Sequence, residues 1–136
     1  MKREKFDVTP LALKEAFIEQ YGNNQNNEIR IFASPARINI IGEHIDYNGG
    51  KVFPTAIDKY LYCAIRKRDD SKIIYNDLFF PGEFIFDTNE DFCFKKENDY
   101  ANFLNGILSC MKKKGFVFSN GFEVLIASNV PSAGGI

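Results

Sequence analysis

The chain has 136 residues and a formal net charge of −1, and 45% of its residues are hydrophobic and 26% charged. This is the composition of one ordinary folded domain. The near-zero charge excludes strong electrostatic attraction to nucleic acid or an acidic membrane. No apolar run approaches the roughly 18 residues that cross a bilayer.

The cysteines and the first residues indicate the compartment. Cys63, Cys93 and Cys110 show neither a CxxC pair nor metal-ligand spacing, so we expect reduced thiols. The first ten residues hold no apolar stretch of the kind found in signal peptides. We therefore expect a cytoplasmic protein without a bound metal of its own.

The first predicted element is a helix of about a dozen residues that begins at Pro10. Thr9 is a suitable N-cap, and proline at the first helical position loses no hydrogen bond. Gly22 is suited to end the helix. One helical face is apolar and carries Leu13, Ala16, Phe17 and Tyr21. We expect this helix only to pack on the domain.

Alternating apolar residues predict several strands and one further helix. The strands are Ile29–Ala33 resuming at Ile38 after Pro35, Tyr60–Arg66, Lys72–Tyr75, Glu83–Phe86 and Phe122–Ile126. The helix runs from about Tyr100 to Lys114, with an apolar stripe of Phe103, Leu104, Ile107, Leu108 and Met111. This order predicts an α+β or α/β fold with a mixed sheet rather than a barrel.

Polar residues are concentrated in the segment from Ser34 to Gly50, which starts as a strand and ends in a Gly-rich turn. Glu43 and Asp46 are acceptors when ionised, so they suit the hydroxyl donors of a sugar. His44 can bind a further hydroxyl, and Arg37 can hold a phosphoryl oxygen. Loops displayed from rigid elements in this way often bind ligands.

Other interpretations of these side chains remain open at this point. Glu43, His44 and Asp46 could bind a metal, although adjacent residues tend to point apart. Arg37 could form a structural ion pair with Asp46. His44, the only histidine of the chain, could be a structural hydrogen-bonding residue.

The segment resembles the signature of the galactokinases. The core of that signature appears as Gly42-Glu43-His44-Ile45-Asp46-Tyr47, followed by Asn48-Gly49-Gly50, and the Arg and Asn of its leading strand appear as Arg37 and Asn39. Galactokinases share a superfamily with homoserine, mevalonate and phosphomevalonate kinases. The resemblance implies the N-terminal domain fold of that superfamily, an α+β fold with a mixed sheet like ribosomal protein S5 domain 2, here incomplete.

The resemblance also implies residue roles. The galactose-binding residues would be Arg37, Glu43, His44, Ile45, Asp46 and Tyr47. Arg37 would in addition stabilise the transferring phosphoryl group. The family usually has glycine where Ala36 stands, and the extra methyl group could crowd the turn.

The last residues resemble the start of the family's ATP-phosphate loop. Ser132, Ala133, Gly134 and Gly135 would bind the phosphates of ATP with Mg²⁺, although Ala133 replaces a glycine and puts tight wrapping in doubt. No residue matches the family's catalytic aspartate. We expect residues 1–136 to be a truncated N-terminal galactose-binding domain without the C-terminal domain, inactive alone, from a monomeric enzyme.

Two other functions are compatible with the signature. A galactokinase-like sugar sensor keeps the same sugar-binding residues but has lost catalysis. A kinase for N-acetylgalactosamine or another hexose would differ mainly in the pocket walls around C2.

Overall fold

The computed structural model describes residues 6–24 and 26–131, with only the backbone described at Asp46. Within these residues a mixed five-stranded sheet is combined with two α-helices. The predicted α+β class is therefore confirmed. No helix of the described part is long and apolar enough to span a membrane.

Helix α1 spans Pro10–Tyr21, as its sequence signals predict. The Thr9 hydroxyl oxygen accepts a hydrogen bond from the backbone N–H of Ala12 at 3.2 Å, which satisfies one of the free donors of the first turn. Gly22 ends the helix with φ at 76°, a conformation that glycine adopts without strain. Leu13 and Phe17 on its inner face are fully buried against the sheet.

The strands of the sheet lie in the order β1-β2-β5-β3-β4. Strands β3 and β5 are parallel and all other neighbours are antiparallel. The strands are β1 (Ile29–Ile41), β2 (Phe53–Lys67), β3 (Lys72–Asp77), β4 (Glu83–Asp87) and β5 (Phe122–Ser128). Because β1 is an edge strand, it can continue through Pro35, which has no N–H to donate.

Helix α2 spans Asn102–Lys113 and follows a short 3-10 segment at Lys96–Ala101. It lies on the face of the sheet opposite α1: Val124 of β5 packs against Ala101, whereas the neighbouring Leu125 packs with α1. Successive side chains of a strand point to opposite faces, so the two helices cover opposite faces of β5.

The predicted apolar stripe of α2 is partly wrong. Leu108 is buried as expected, but Phe103 is 80% exposed and Ile107 59% exposed. The polar Asn105 lies on the inner face instead and is only 3% exposed. Ala101, at the end of the 3-10 segment, packs on the sheet. Asn105 and Leu108 follow it at positions four and seven residues later, so they share its helical face and are the buried residues.

A buried arginine ties α1 to the sheet. Arg66 of β2 is 3% exposed and donates from Nε and Nη2 to Glu123 Oε2, at 2.9 and 2.7 Å. It also donates to the backbone oxygens of Tyr21 and Gly22, at 3.1 and 2.8 Å. The guanidinium thus satisfies carbonyl groups at the C-terminus of α1, which no helical N–H can reach.

Candidate sugar-binding loop

The core residues of the signature, from Gly42 onward, lie in the connection between β1 and β2, which we call the signature loop (residues 42–52). The two strands pair as far as Ile41 and Phe53, so the loop is held at the end of a long antiparallel pair. The pairing shifts register between Pro35 and Arg37 and again between Asn39 and Ile41. The strand that leads into the loop is therefore irregular just before the polar residues begin.

Two glycines of the loop are required by close approach of other atoms. A Cβ atom on Gly42 would lie 2.8 Å from Val52 Cα, and Gly42 has φ at 108°. A Cβ on Gly50 would lie 1.7 Å from Ile45 Cγ2. The backbone N–H of Gly50 also donates to the oxygen of Ile45 at 3.0 Å. The loop is thus folded tightly on itself around Ile45.

His44 is held in an unusual backbone conformation by its neighbours in the loop. Its φ is 58°, in the left-handed region that few residues other than glycine occupy. The side-chain amide of Asn48 donates to the His44 carbonyl oxygen at 2.9 Å. The imidazole Nδ1 lies 2.7 Å from the Tyr47 hydroxyl oxygen. Backbone and ring of His44 are therefore both restrained locally.

The charged residues of the site are placed on the same end of the sheet. Glu43 is exposed in the loop, next to His44, and Arg37 is exposed on β1 opposite Ala56. No described side chain forms an ion pair with Arg37. The backbone of Asp46 begins a short 3-10 helix that spans Asp46–Asn48. The side chain of Asp46 is outside the described atoms, and so is the ion pair with Arg37 that the sequence allows.

Asn39, on β1 between Arg37 and the loop, has a buried side-chain oxygen with no hydrogen-bond partner among the described residues. The residue opposite it on β2 is Pro54. A buried polar atom without a partner destabilises the fold by about 1–3 kcal/mol. Because such exceptions are rare in folded proteins, this part of β1 is a candidate for a functional role.

Ala36 does not crowd a turn, contrary to the expectation from the sequence. It lies within β1 at the first register shift, between the paired residues Pro35 and Arg37. Its φ is not positive, so a side chain is accommodated there without backbone strain. The predicted phosphate-loop residues Ser132, Ala133, Gly134 and Gly135 lie outside the described residues.

Most residues of the signature loop are exposed to solvent. Several large apolar side chains around it are exposed: Ile40, Ile41, Tyr47 and Phe53. A cavity of about 710 Å³ lies elsewhere, lined by residues of α1 and by Asn76 and Phe80. Within the described part of the chain, no three His, Cys, Asp or Glu side chains come together to hold a metal ion.

Known proteins that resemble the chain share the segment that contains the signature loop. A family profile described as the galactokinase galactose-binding signature matches residues 15–67, which include β1, the loop and β2. Galactokinases are among the proteins that the chain resembles. The galactokinase of Clostridium beijerinckii is 35% identical over 92% of this chain, and that of Streptococcus suis is 38% identical over 91%.

Solved structures show the same relationship. A crystal structure of Lactococcus lactis galactokinase complexed with galactose matches 92% of the chain with a TM-score of 0.82 and 38% identity. Methanococcus jannaschii mevalonate kinase, at 19% identity and a TM-score of 0.65, shares the fold. The galactokinase-like chain spans about a third of the length of these relatives, 32% of both the Clostridium and the Lactococcus proteins.

Proposed function

We propose that this chain forms the galactose-binding part of a galactokinase, which transfers the γ-phosphate of ATP to O1 of galactose. The observation that carries the proposal is the galactose-binding signature over residues 15–67, because its polar core coincides with the one tightly folded, exposed loop between β1 and β2. Close packing at Gly42 and Gly50 holds this loop in shape, and Glu43 and His44 are exposed on it.

The proposed contacts follow from the chemistry of each side chain. Glu43 and Asp46 accept hydrogen bonds from sugar hydroxyls, and such charge-assisted bonds are stronger than neutral ones. His44 contributes a ring nitrogen that forms no described hydrogen bond, since only Nδ1 is engaged. Ile45 forms the packed centre of the loop against Gly50.

Arg37 has a separate role in the proposal. Its guanidinium is always charged, and no described carboxylate neutralises it. A guanidinium at the start of the sugar site is suited to stabilise negative charge that develops on the transferring phosphoryl group. Its contribution is therefore to turnover more than to sugar affinity.

ATP and Mg²⁺ are the proposed cofactors, and their binding is assigned to Ser132, Ala133, Gly134 and Gly135. These residues follow the end of β5 at Ser128. A glycine-rich turn after a strand can present backbone N–H groups to phosphate oxygens. We place the enzyme in the cytoplasm, in keeping with three cysteines that are all free thiols.

Titration of the chain with galactose tests the sugar site directly. Chemical shifts of the loop residues and of His44 should move with galactose, and much less with glucose, which differs only in the direction of the C4 hydroxyl. Glu43→Gln keeps the shape of the side chain but removes its charge, so it should weaken galactose binding about tenfold or more. If galactose and glucose behave alike, or Glu43→Gln has no effect, the assignment is wrong.

A further inference from the structure

His44 and Tyr47 form a side-chain pair inside the signature loop. His44 Nδ1 and the Tyr47 hydroxyl oxygen are 2.7 Å apart, and the two rings meet edge to face with centroids 6.0 Å apart. We infer that Tyr47 is a positioning residue, whose hydroxyl fixes the imidazole tautomer with the proton on Nε2 and so makes His44 a hydrogen-bond donor to the sugar. The inference rests on the proposed function and changes the predicted role of Tyr47 from direct contact to indirect support.

The direction of the hydrogen bond follows from the two groups. A phenol O–H is a good donor, and its oxygen is a weak acceptor because its lone pair is delocalised into the ring. A neutral imidazole has one donor and one acceptor nitrogen, and the bond made by one nitrogen decides the state of the other. The Tyr47 hydroxyl therefore donates to Nδ1, and the imidazole proton resides on Nε2.

The surroundings of the pair argue against a purely structural role. Tyr47 is 72% exposed, so its hydroxyl is not needed to satisfy a buried group. The pair is nevertheless well held, because Asn48 binds the His44 carbonyl oxygen and the backbone of His44 has φ at 58°. A strained residue in a restrained, solvent-facing loop is typical of a preorganised binding site.

An N–H group at Nε2 of His44 gives the loop a hydrogen-bond donor, which its ionised carboxylates cannot provide. Glu43 is acceptor-only when ionised, so it can accept a hydrogen bond from a sugar hydroxyl but cannot donate one. A hydroxyl group can donate and accept at the same time. With Nε2–H fixed, His44 can donate to a hydroxyl oxygen whose own proton is directed to a carboxylate. The other tautomer would present a lone pair to that oxygen and repel it.

The tautomer can be measured without any activity, because the chain contains a single histidine. Long-range proton–nitrogen NMR spectra of the ¹⁵N-labelled chain at about pH 9, above the ordinary histidine pKa of about 6.5, should show Nε2–H and an unprotonated Nδ1. Tyr47→Phe should give a mixture of tautomers. Tyr60→Phe is the matched control, since the Tyr60 hydroxyl forms none of the described hydrogen bonds, and it should leave the spectrum unchanged. A proton on Nδ1 in the wild type, or no effect of Tyr47→Phe, overturns the inference.

A double-mutant cycle on galactose affinity tests the route of action. Tyr47→Phe should weaken binding about threefold to tenfold, as expected for a disturbed hydrogen bond. In a His44→Gln background the same change should have no effect, because the glutamine amide nitrogen donates without a tautomer to set. Equal losses in both backgrounds would show that Tyr47 contacts the sugar itself. If Tyr47 fixes the tautomer but neither the wild type nor any variant binds galactose, the proposed function is refuted. The role of His44 as a hydrogen-bond donor to the sugar is then refuted with it.

Discussion

Replacing Gly50 by alanine should distort the signature loop while leaving the sheet intact. The new Cβ would lie 1.7 Å from Ile45 Cγ2, whereas carbon atoms in contact are about 3.5–4.0 Å apart. Ile45 must therefore move by about 2 Å. The new Cβ would also lie 3.2 Å from Ile45 Cβ, so we expect the backbone of Ile45 to shift and to displace its chain neighbours His44 and Asp46, both proposed sugar contacts.

The size of the effect follows from which groups can move. Ile45 is 39% exposed, so the clash can be relieved outward, and we expect the free energy of unfolding to fall by no more than about 1–2 kcal/mol. Each charge-assisted hydrogen bond lost to the sugar is worth about 1.5–3 kcal/mol. Galactose affinity should therefore fall about 10-fold to 100-fold.

Galactose titration and urea unfolding of the same sample separate these two effects. Gly106→Ala is the matched control, because its Cβ would meet no atom within 4 Å and it lies inside α2. We expect it to stabilise the chain by about 0.5–1 kcal/mol and to leave galactose binding unchanged. Unchanged galactose affinity in Gly50→Ala would refute the view that packing of Ile45 positions the site.

Three further predictions concern the rest of the chain and the reaction. Arg66→Met should lower the free energy of unfolding, measured in urea, by about 2–4 kcal/mol, because buried Glu123 keeps only its 2.6 Å bond to Arg68; a loss below about 1 kcal/mol would contradict this. Burial raises the pKa of Cys63 to about 11. The unfolded thiol therefore ionises first, and stability should fall as pH rises from about 9 to 11. Cys63→Ala should reduce that fall, and an identical pH profile in the variant would argue against it. In a galactokinase polypeptide containing this chain, Arg37→Ala should lower kcat far more than it raises KM; the reverse pattern would exclude the phosphoryl role.

Sequence signals of short range predicted several elements well. The cap at Thr9, Pro10 at the first helical position and Gly22 at the end place α1 at its observed bounds, because each acts on the backbone within a few residues. Pro81-Gly82, a typical turn sequence, likewise lies between β3 and β4. Strand lengths were underestimated: β2 begins at Phe53 rather than Tyr60, since its first half is defined by pairing with β1 and not by its own alternation.

Candidate site residues could be predicted from their chemistry and their resemblance to a signature, but their arrangement could not. The sequence indicated that Glu43, His44 and Tyr47 share a loop. It did not indicate that Tyr47 hydrogen-bonds His44 or that Gly50 packs on Ile45. These contacts depend on the positive φ angle of His44 and on the closure of the loop by the paired strands. The sequence likewise did not indicate that the side-chain oxygen of Asn39 is buried without a partner among the described residues.

The sequence by itself determined the α+β class, the capped first helix, the alternating strands and the galactokinase signature, because these are properties of neighbouring residues. Only the tertiary structure decided which face of α2 is buried and that Arg66 lies inside the protein. The partners of Arg66 are Glu123 on β5 and the end of α1, far from it along the chain. A charged group can be buried only where such partners offset the free-energy cost of removing it from water, and here the partners are brought together by the tertiary fold.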